Sequence, residues 1–214
     1  MEQTDLVVAT GNSGKLREFA FLLAGLPVRL LSVCDFPGLT LPPEEGRTYA
    51  ENALAKARAV ARATGRLTLA DDSGLEVDAL DGRPGIHSAR FAGDKAADDE
   101  NNRKLLGLLD GLPLEARRAR FRCVLAVLSP VRTGSAEAKE PAFEEVLVEG
   151  TCEGFIALAP RGGNGFGYDP LFYLPEYGCT LAELPEEVKN RVSHRGRAVA
   201  KALPILQALT NPRP

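Results

Sequence analysis

Residues 67–75 read LTLADDSGL, and this stretch decides the fold. An apolar run of this length between turn signals is typical of a buried strand. The run ends in the adjacent carboxylates Asp71 and Asp72. Open α/β folds bind ligands at the carboxyl ends of strands, and carboxylate oxygens suit a hard cation such as Mg²⁺. The stretch therefore predicts a cation site at a sheet rim or, more simply, an Asp-Ser-Gly turn that closes a strand.

The composition is that of a soluble globular protein, with 214 residues, 44% hydrophobic and 26% charged. The net charge of −3 gives no general basic field, so nucleic acid is not an expected partner. Residues 1–5, MEQTD, lack the features of a signal peptide, and no apolar run approaches the roughly 20 residues of a membrane helix. We therefore expect no membrane partner, and four reduced cysteines rather than a zinc site.

A glycine loop, TGNSGK at residues 10–15, separates a short predicted strand at residues 6–9 from a helical pattern. A strand, a glycine loop and a helix together direct backbone N–H groups at a phosphate. The loop is not a Walker A motif, which requires a glycine where Ala9 stands and Ser or Thr where Leu16 stands. Phosphate binding, with Lys15 at the mouth of the loop, is one interpretation, and a plain strand–helix turn is the other.

A capping box at residues 48–51 opens a predicted helix that ends at Gly65. Asn52 and Lys56 stand four residues apart on this helix and therefore project from the same face. The loop before the helix, residues 37–46, is rich in proline and glycine.

That loop carries the acidic pair Glu44 and Glu45. Metal ligation and a plain solvated pair are both open interpretations.

The rest of the chain is rich in predicted strands. Strands are expected at residues 119–128 and 143–149, with a polar hairpin or loop at 129–141 between them. Gly150 and Gly154 predict a bulged or bent segment. A helix is expected at residues 101–109, and Pro204 is expected to kink or restart the last helix.

A second glycine loop, GGNGFGYDP at residues 162–170, carries aromatic side chains. Its glycines let the backbone approach a ligand closely. Phe166 and Tyr168 are candidates to stack on a base, and Asp169 is a candidate to position it. The alternative is a flexible loop tip.

Near the last helix, basic and polar side chains gather in a chain of net negative charge. They are either a solvated face or the counter-charge for a polyanion, and they comprise Lys189, Arg191, Ser193, His194, Arg195 and Arg197.

The order of these segments predicts an α/β fold with a mixed β-sheet, in two lobes with a cleft between them. No internal repeat or long linker divides residues 1–214, so a single domain is expected.

Several motifs occur in a specific order across almost the whole chain. They are TGNSGK at residues 10–15, ENALAKA at 51–57, ADDSGL at 70–75 with PGIHSAR at 84–90, and FGYDP at 166–170 with SHRGR at 193–197. Each motif is weak alone, but together they resemble the inosine triphosphate pyrophosphatase family, which acts on non-standard purine nucleoside triphosphates.

The resemblance implies Mg²⁺-dependent hydrolysis of ITP, dITP and XTP to the monophosphate and pyrophosphate, which would keep deaminated purines out of nucleic acids. It also implies an elongated two-lobed α/β fold with helices flanking the sheet, an active-site cleft between the lobes, a homodimer and a cytoplasmic location.

The resemblance also implies roles for single residues. It places the phosphate loop on Thr10, Gly11, Asn12, Ser13, Gly14 and Lys15. It places metal ligands on Glu44, Asp71 and Asp72, with Glu45 as the alternative to Glu44, and the proton acceptor on Asp72. It places nucleotide contacts on Ser73, Phe166, Gly167, Tyr168, Asp169, Lys189, His194 and Arg195.

The chemistry of these residue types agrees, because phosphoryl hydrolysis needs neutralised negative charge and a positioned water. Lys15 and Lys56 are expected to hold the phosphates, and Asp72 to accept the proton of the water. Two alternatives remain open. One is a Maf-like pyrophosphatase for modified or pyrimidine triphosphates, and the other is a nucleotide-binding protein without activity.

Overall fold

The computed structural model describes residues 3–131 and 141–210 of the chain. The strands are β1 (Thr4–Val8), β2 (Val28–Ser32), β3 (Leu67–Val77), β4 (Arg118–Pro130), β5 (Phe143–Ile156), β6 (Phe172–Leu174) and β7 (Cys179–Thr180). The helices are α1 (Ser13–Leu22), α2 (Tyr49–Thr64), α3 (Asp98–Leu108), α4 (Glu186–Val192) and α5 (His194–Thr210).

The strands form one mixed sheet in the hydrogen-bonded order β2-β1-β3-β4-β5-β6-β7. β1 is parallel to β2 and β3, whereas β6 is antiparallel to β5 and β7. The predicted α/β fold with a mixed sheet and helices is confirmed. The chain divides into two compact units: unit 1 contains Met1–Asp72, Val124–Glu149 and Ala198–Pro214, and unit 2 contains Ser73–Cys123 and Gly150–Arg197.

Unit 1 is built around parallel strands. Thr4 of β1 lies opposite Val28 of β2, and Leu6 lies opposite Leu67 of β3. Leu6 and the two valines that follow it are fully buried, as expected for a parallel strand that is covered on both faces.

Helix α2 follows its predicted limits. The Thr48 side chain accepts the backbone N–H of Glu51 at 3.1 Å, and Gly65 ends the helix with a left-handed φ of 64°. The Glu51 carboxylate accepts the N–H of Arg47 at 2.7 Å rather than that of Thr48, so the capping box closes one residue earlier than the sequence pattern implied.

The prediction that β3 ends at Asp71 and Asp72 is wrong, because the strand continues to Val77. Leu75 and Val77 are fully buried, and their burial extends the strand beyond the polar residues. The strand that ends here is β1, whose last paired residue, Val8, lies opposite Leu69. The carboxylates therefore lie just beyond the carboxyl end of β1, in the middle of β3.

Unit 2 has its own apolar core, in which Ala119 and Phe121 of β4 and the buried residues of β6 pack with Leu105 of α3. The predicted bent segment at Gly150 and Gly154 lies inside β5, which is one strand. A side chain at Gly154 would place its Cβ 2.5 Å from the carbonyl oxygen of Tyr173, so the glycine allows β6 to approach.

In other places the observed ends of helices and strands differ from the predicted ones. Helix α3 begins at Asp98, three residues before the predicted start. Of the predicted hairpin or loop at residues 129–141, Ser129 and Pro130 belong to β4, and 132–140 lie outside the described residues. Pro204 lies inside α5, which does not restart there.

Candidate active site

In unit 1, the first glycine loop forms a tight turn between β1 and α1. The Thr10 hydroxyl accepts the N–H of Asn12 at 3.1 Å, and the Asn12 side chain accepts the N–H of Lys15 at 3.0 Å. Asn12 is therefore the N-cap of α1, whose first turn contains no acidic residue. The loop leaves residues 11–13 exposed at the positive end of a helix, an arrangement that favours an anion.

Lys15 connects this loop to β3. Its ammonium group lies 2.9 Å from Oδ2 of Asp71, whose side chain is 1% exposed. Since β1 ends opposite Leu69, the loop that follows β1 reaches the position of Asp71 directly.

Helix α2 supplies the partners of Asp72. Lys56 Nζ lies 2.5 Å from Oε1 of Glu44 and 3.4 Å from Oδ1 of Asp72. Asn52 Nδ2 donates to Oδ2 of Asp72 at 3.0 Å, and its Oδ1 accepts the N–H of Gly46 at 2.8 Å. The i, i+4 face predicted for Asn52 and Lys56 thus contacts both the strand and the acidic loop.

We call these side chains the carboxylate–lysine cluster: Glu44, Asp71 and Asp72 with Lys15 and Lys56. Burial has the largest effect on the pKa of Asp72 and raises it, while the charge of Lys56 opposes this effect. Burial would lower the pKa of Lys56, but the nearby carboxylates raise it above its ordinary value. Lys56 therefore stays charged beside a carboxylate of increased basicity.

The cluster suits a magnesium ion in its chemistry. Among the described residues, no three His, Cys, Asp or Glu side chains gather into a metal cage. Mg²⁺ is usually held by one or two carboxylates together with water and substrate phosphates, so a cage is not required. Lys56 pairs with both Glu44 and Asp72, whereas Glu45 is exposed, so Glu44 is the acid of the loop that shares a cation with Asp72.

In unit 2, the second glycine loop presents an aromatic ring beside cations. Asp169 accepts the N–H of Phe166 at 2.9 Å and pairs with Lys189 at 2.7 Å. Lys189 Nζ lies 5.1 Å from the centre of the half-buried Phe166 ring, and Arg195 Cζ lies 5.7 Å from it. Both distances are within the range of cation–π attraction.

Arg195 connects this ring to Ser73, and the neighbouring His194 packs on β4. Arg195 is 2% exposed and donates from Nη2 to the hydroxyl of Ser73 at 2.9 Å. The His194 ring stacks on Phe121, with 4.6 Å between ring centres. We call Ser73, Phe166, Asp169, Lys189, His194 and Arg195 the aromatic–basic cluster.

Not every predicted site residue presents its side chain to this cluster. The Tyr168 ring packs in the core, and its hydroxyl donates to the carbonyl of Ser88 at 2.9 Å, so Tyr168 anchors the loop. Arg197 donates instead to the carbonyl of Thr151, and Arg191 to that of Glu187. The predicted basic cluster therefore does not form one face.

A family model described as the Ham1 family matches residues 6–205. The chain belongs to the Ham1 family. Its relatives include the dITP/XTP pyrophosphatase of Desulforamulus reducens, 52% identical over 95% of this chain and 96% of the relative. Another is the dITP/XTP pyrophosphatase of Geobacter sulfurreducens, 54% identical over 92% of this chain and 94% of the relative.

Solved structures of similar proteins agree with the fold. A HAM1 protein from Coxiella burnetii superposes with a TM-score of 0.80 at 40% identity, over 96% of this chain and 99% of that one. A nucleoside-triphosphatase / dITP/XTP pyrophosphatase from Mycobacterium abscessus gives 0.70 at 42% identity, over 95% and 100%. These matches confirm the family resemblance predicted from the motifs.

Sequence reasoning missed some supporting residues of this Ham1 chain. Asp98 and Asn102 form hydrogen bonds with the backbone of Gly167. The Ser88 hydroxyl accepts the N–H of Leu75 in β3, and the Ser88 carbonyl accepts the hydroxyl of Tyr168. The i, i+4 spacing of Asp98 and Asn102 was visible, but the predicted helix began after Asp98.

Across the described ranges, no helix has the length and apolar content needed to cross a bilayer.

Proposed function

We propose that this Ham1 chain hydrolyses the deaminated-purine triphosphates ITP, dITP and XTP to the monophosphate and pyrophosphate. The observation that carries the proposal is the buried Asp72, which lies between Lys56 and Asn52 within an acidic cluster. Membership in the Ham1 family and the names of its relatives support the same reaction.

The carboxylate–lysine cluster is suited to the triphosphate. The exposed N–H groups at the start of α1 and the Lys15 ammonium would bind phosphate oxygens. Asp72 and Glu44, with Asp71 beside them, would hold Mg²⁺, which when bound neutralises part of the phosphate charge. Lys56 would hold the leaving phosphates as it now holds Glu44 and Asp72.

Asp72 is the proposed proton acceptor. A water attacks the α-phosphorus, its proton passes to a carboxylate oxygen of Asp72, and the bond to the bridging oxygen breaks to release pyrophosphate. The raised pKa of Asp72 makes it a better base, and the neighbouring Lys56 charge favours its ionised form.

The aromatic–basic cluster is suited to the base. Phe166 would stack on the purine. A 6-oxo purine presents an acceptor where adenine presents an amino donor, so donors from Lys189, His194 or Arg195 would favour ITP and XTP over ATP. A buried donor left unpaired by the wrong base gives strong discrimination.

A pyrophosphate-release assay with ITP, XTP, GTP, ATP and dTTP, with and without Mg²⁺, tests the proposal. We expect turnover of ITP and XTP that requires Mg²⁺ and greatly exceeds turnover of ATP and dTTP. Preferred turnover of dTTP would favour a Maf-like activity instead. Binding of ITP without release of pyrophosphate would favour a nucleotide-binding protein.

The adjacent acids offer a matched test of metal binding. Glu44→Gln should raise the Mg²⁺ concentration needed for half-maximal turnover, because a carboxylate near Asp72 is lost. Glu45→Gln removes the same charge from the next residue and should leave the requirement unchanged. Equal effects of the two variants would contradict the assignment of Glu44.

We also propose that the chain forms a homodimer and works in the cytoplasm, as the family resemblance implies. Light scattering coupled to size-exclusion chromatography tests the first point by giving the mass in solution. A mass equal to that of one chain would contradict it.

A further inference from the structure

Helix α3 holds both backbone groups of one residue in the second glycine loop. Oδ2 of Asp98 accepts the N–H of Gly167 at 2.7 Å, and Nδ2 of Asn102 donates to its carbonyl oxygen at 3.0 Å. Asp98 and Asn102 are four residues apart and therefore share one face of the helix. The N–H bond to a carboxylate is charge-assisted and is among the stronger hydrogen bonds in proteins.

The residue held in this way controls the direction of its neighbours. Gly167 has a φ of 62°, in the left-handed region that favours glycine. On one side of it, Tyr168 is buried in the core; on the other, Phe166 is half-buried beside Lys189 and Arg195. The orientation of the Gly167 backbone therefore sets where the Phe166 ring points.

Helix α3 is a rigid support for this contact. Leu105 is fully buried in the core of unit 2. Asn101 accepts the N–H of Ala92 at 2.7 Å and donates to the carbonyl of Ala89 at 3.2 Å. Because these contacts hold α3 in place, its hydrogen bonds to Gly167 position the loop.

We propose that Asp98 and Asn102 are positioning residues that hold Phe166 in the orientation needed to stack on the purine. This inference rests on the proposed function, because it assigns the aromatic–basic cluster to the base. Both residues act through the peptide groups of Gly167, with which they form hydrogen bonds.

The first experiment compares Asp98→Ala with Asp99→Ala. Both residues are exposed, in the first turn of α3, and either change removes one negative charge there. We expect Asp98→Ala to lower kcat/KM for ITP by about tenfold, mainly through KM, as loss of one hydrogen bond to a charged group allows. Asp99→Ala should leave kcat/KM for ITP within about twofold of the wild-type value. Asp98→Asn keeps an acceptor oxygen and should therefore retain most of the wild-type kcat/KM.

Inhibition by inorganic tripolyphosphate separates base positioning from general damage, because this probe has no base. The inhibition constant should be the same for the wild type and Asp98→Ala. If Asp98→Ala weakened inhibition by tripolyphosphate as much as it lowered kcat/KM for ITP, the inference would be overturned, since phosphate binding or folding would be impaired. Equal behaviour of Asp98→Ala and Asp99→Ala would also overturn it.

A double-mutant cycle tests whether Asp98 acts through Phe166. In a Phe166→Ala background, Asp98→Ala should cause less than about a twofold further loss, because the ring that it positions is absent. Independent, multiplying losses would overturn the inference. Asn102→Asp, nearly isosteric but without the donor to Gly167, should show the same dependence on Phe166.

Binding of IMP, measured by calorimetry, does not depend on turnover. Weaker binding of IMP by Asp98→Ala than by Asp99→Ala would support the inference even if the wild type failed to hydrolyse ITP, an outcome that would overturn the proposed activity alone. Equal IMP affinity in the two variants, together with normal ITP turnover, would overturn the positioning role and leave the activity standing.

Discussion

The carboxylate–lysine cluster and the aromatic–basic cluster both pair acids with cations, but in opposite proportions. In unit 1, three carboxylates accompany two ammonium groups. In unit 2, the one acid of the cluster, Asp169, accompanies Lys189 and Arg195 beside the Phe166 ring. Acids outnumber cations in the first cluster, whereas cations outnumber acids in the second.

The two clusters are also held in different ways. Side chains of the first lie on β3, on α1 and α2 and on the loop before α2, and they form ion pairs with one another directly. The Phe166 ring of the second lies on a loop whose backbone is held by Asp169 and by α3. Charge balance should therefore dominate variants of the first cluster, and geometry should dominate variants of the second.

The largest effect is expected from Asp72→Asn, which removes a carboxylate charge and the candidate base but keeps the shape. Turnover of ITP should fall by about 10³-fold or more, because proton transfer and metal binding are both lost. Steady-state kinetics measure the change, and an unaltered circular dichroism spectrum serves as the control. Near-normal turnover by the folded variant would remove Asp72 from the mechanism.

Lys15→Ala should lower kcat/KM by about 10²-fold for every triphosphate alike, because the phosphates are common to all substrates. The ratio of kcat/KM for ITP to that for GTP should stay at the wild-type value. A thermal melt is needed beside the kinetics, since the variant leaves the buried Asp71 without its ion pair to Lys15. A changed base preference would place the base, not the phosphates, at the first glycine loop.

Phe166→Ala should cost about 1–3 kcal/mol in purine binding, or roughly 5- to 150-fold in affinity, the range for a base stacked on an aromatic ring. The loss should fall on all purines, while inhibition by tripolyphosphate stays unchanged. Isothermal titration with IMP and GMP measures it. An unchanged affinity for both monophosphates would show that the ring does not contact the base.

The smallest effect is expected at Asp5, which pairs with Arg29 and Arg66 on unit 1 as one acid with two cations. Its side chain is 17% exposed, against 5% for Asp169. Hydrogen bonds from Arg29 and then Arg66 lower the pKa of Asp5 from 3.8 to about 2. Since the folded pKa lies below the unfolded one, the stabilisation is present above about pH 4 and is lost as pH falls towards 2.

Asp5→Asn should therefore lower the free energy of unfolding by less than about 1 kcal/mol at pH 7, because exposed pairs are screened by solvent. The wild type and the variant should converge near pH 2. Urea unfolding at both pH values measures this, and Glu115→Gln, at an exposed acid, is the control. If the difference in free energy of unfolding between the two proteins grew as the pH fell, the predicted direction of the pH dependence would be wrong.

Much of the candidate site was predictable because local patterns encode it. The capping box fixed the start of α2, and the helical repeat then placed Asn52 and Lys56 on one face. The glycine loop after β1 predicted a turn that exposes N–H groups. Such signals act over a few residues and remain visible in the linear sequence.

Pairings between distant residues were decided only by the tertiary structure. Lys56 lies between Glu44 and Asp72, which are 28 positions apart in the sequence, and no local pattern selects that arrangement. Asp98 reaches Gly167 across 69 positions. These contacts depend on how strands and helices pack, because packing brings together side chains that the chain itself keeps apart.

The limits of β3 and the role of Tyr168 also depended on tertiary packing rather than on local sequence. From the sequence, the polar residues after Ala70 suggested the end of a strand, and an aromatic in a glycine loop suggested a stacking surface. In the fold, burial of Leu75 and Val77 carries β3 past the carboxylates, and the core takes up the Tyr168 ring. The sequence by itself determined which chemical groups are available to the site; only the tertiary structure decided which of them the core takes up, because burial depends on neighbours that are remote in the chain.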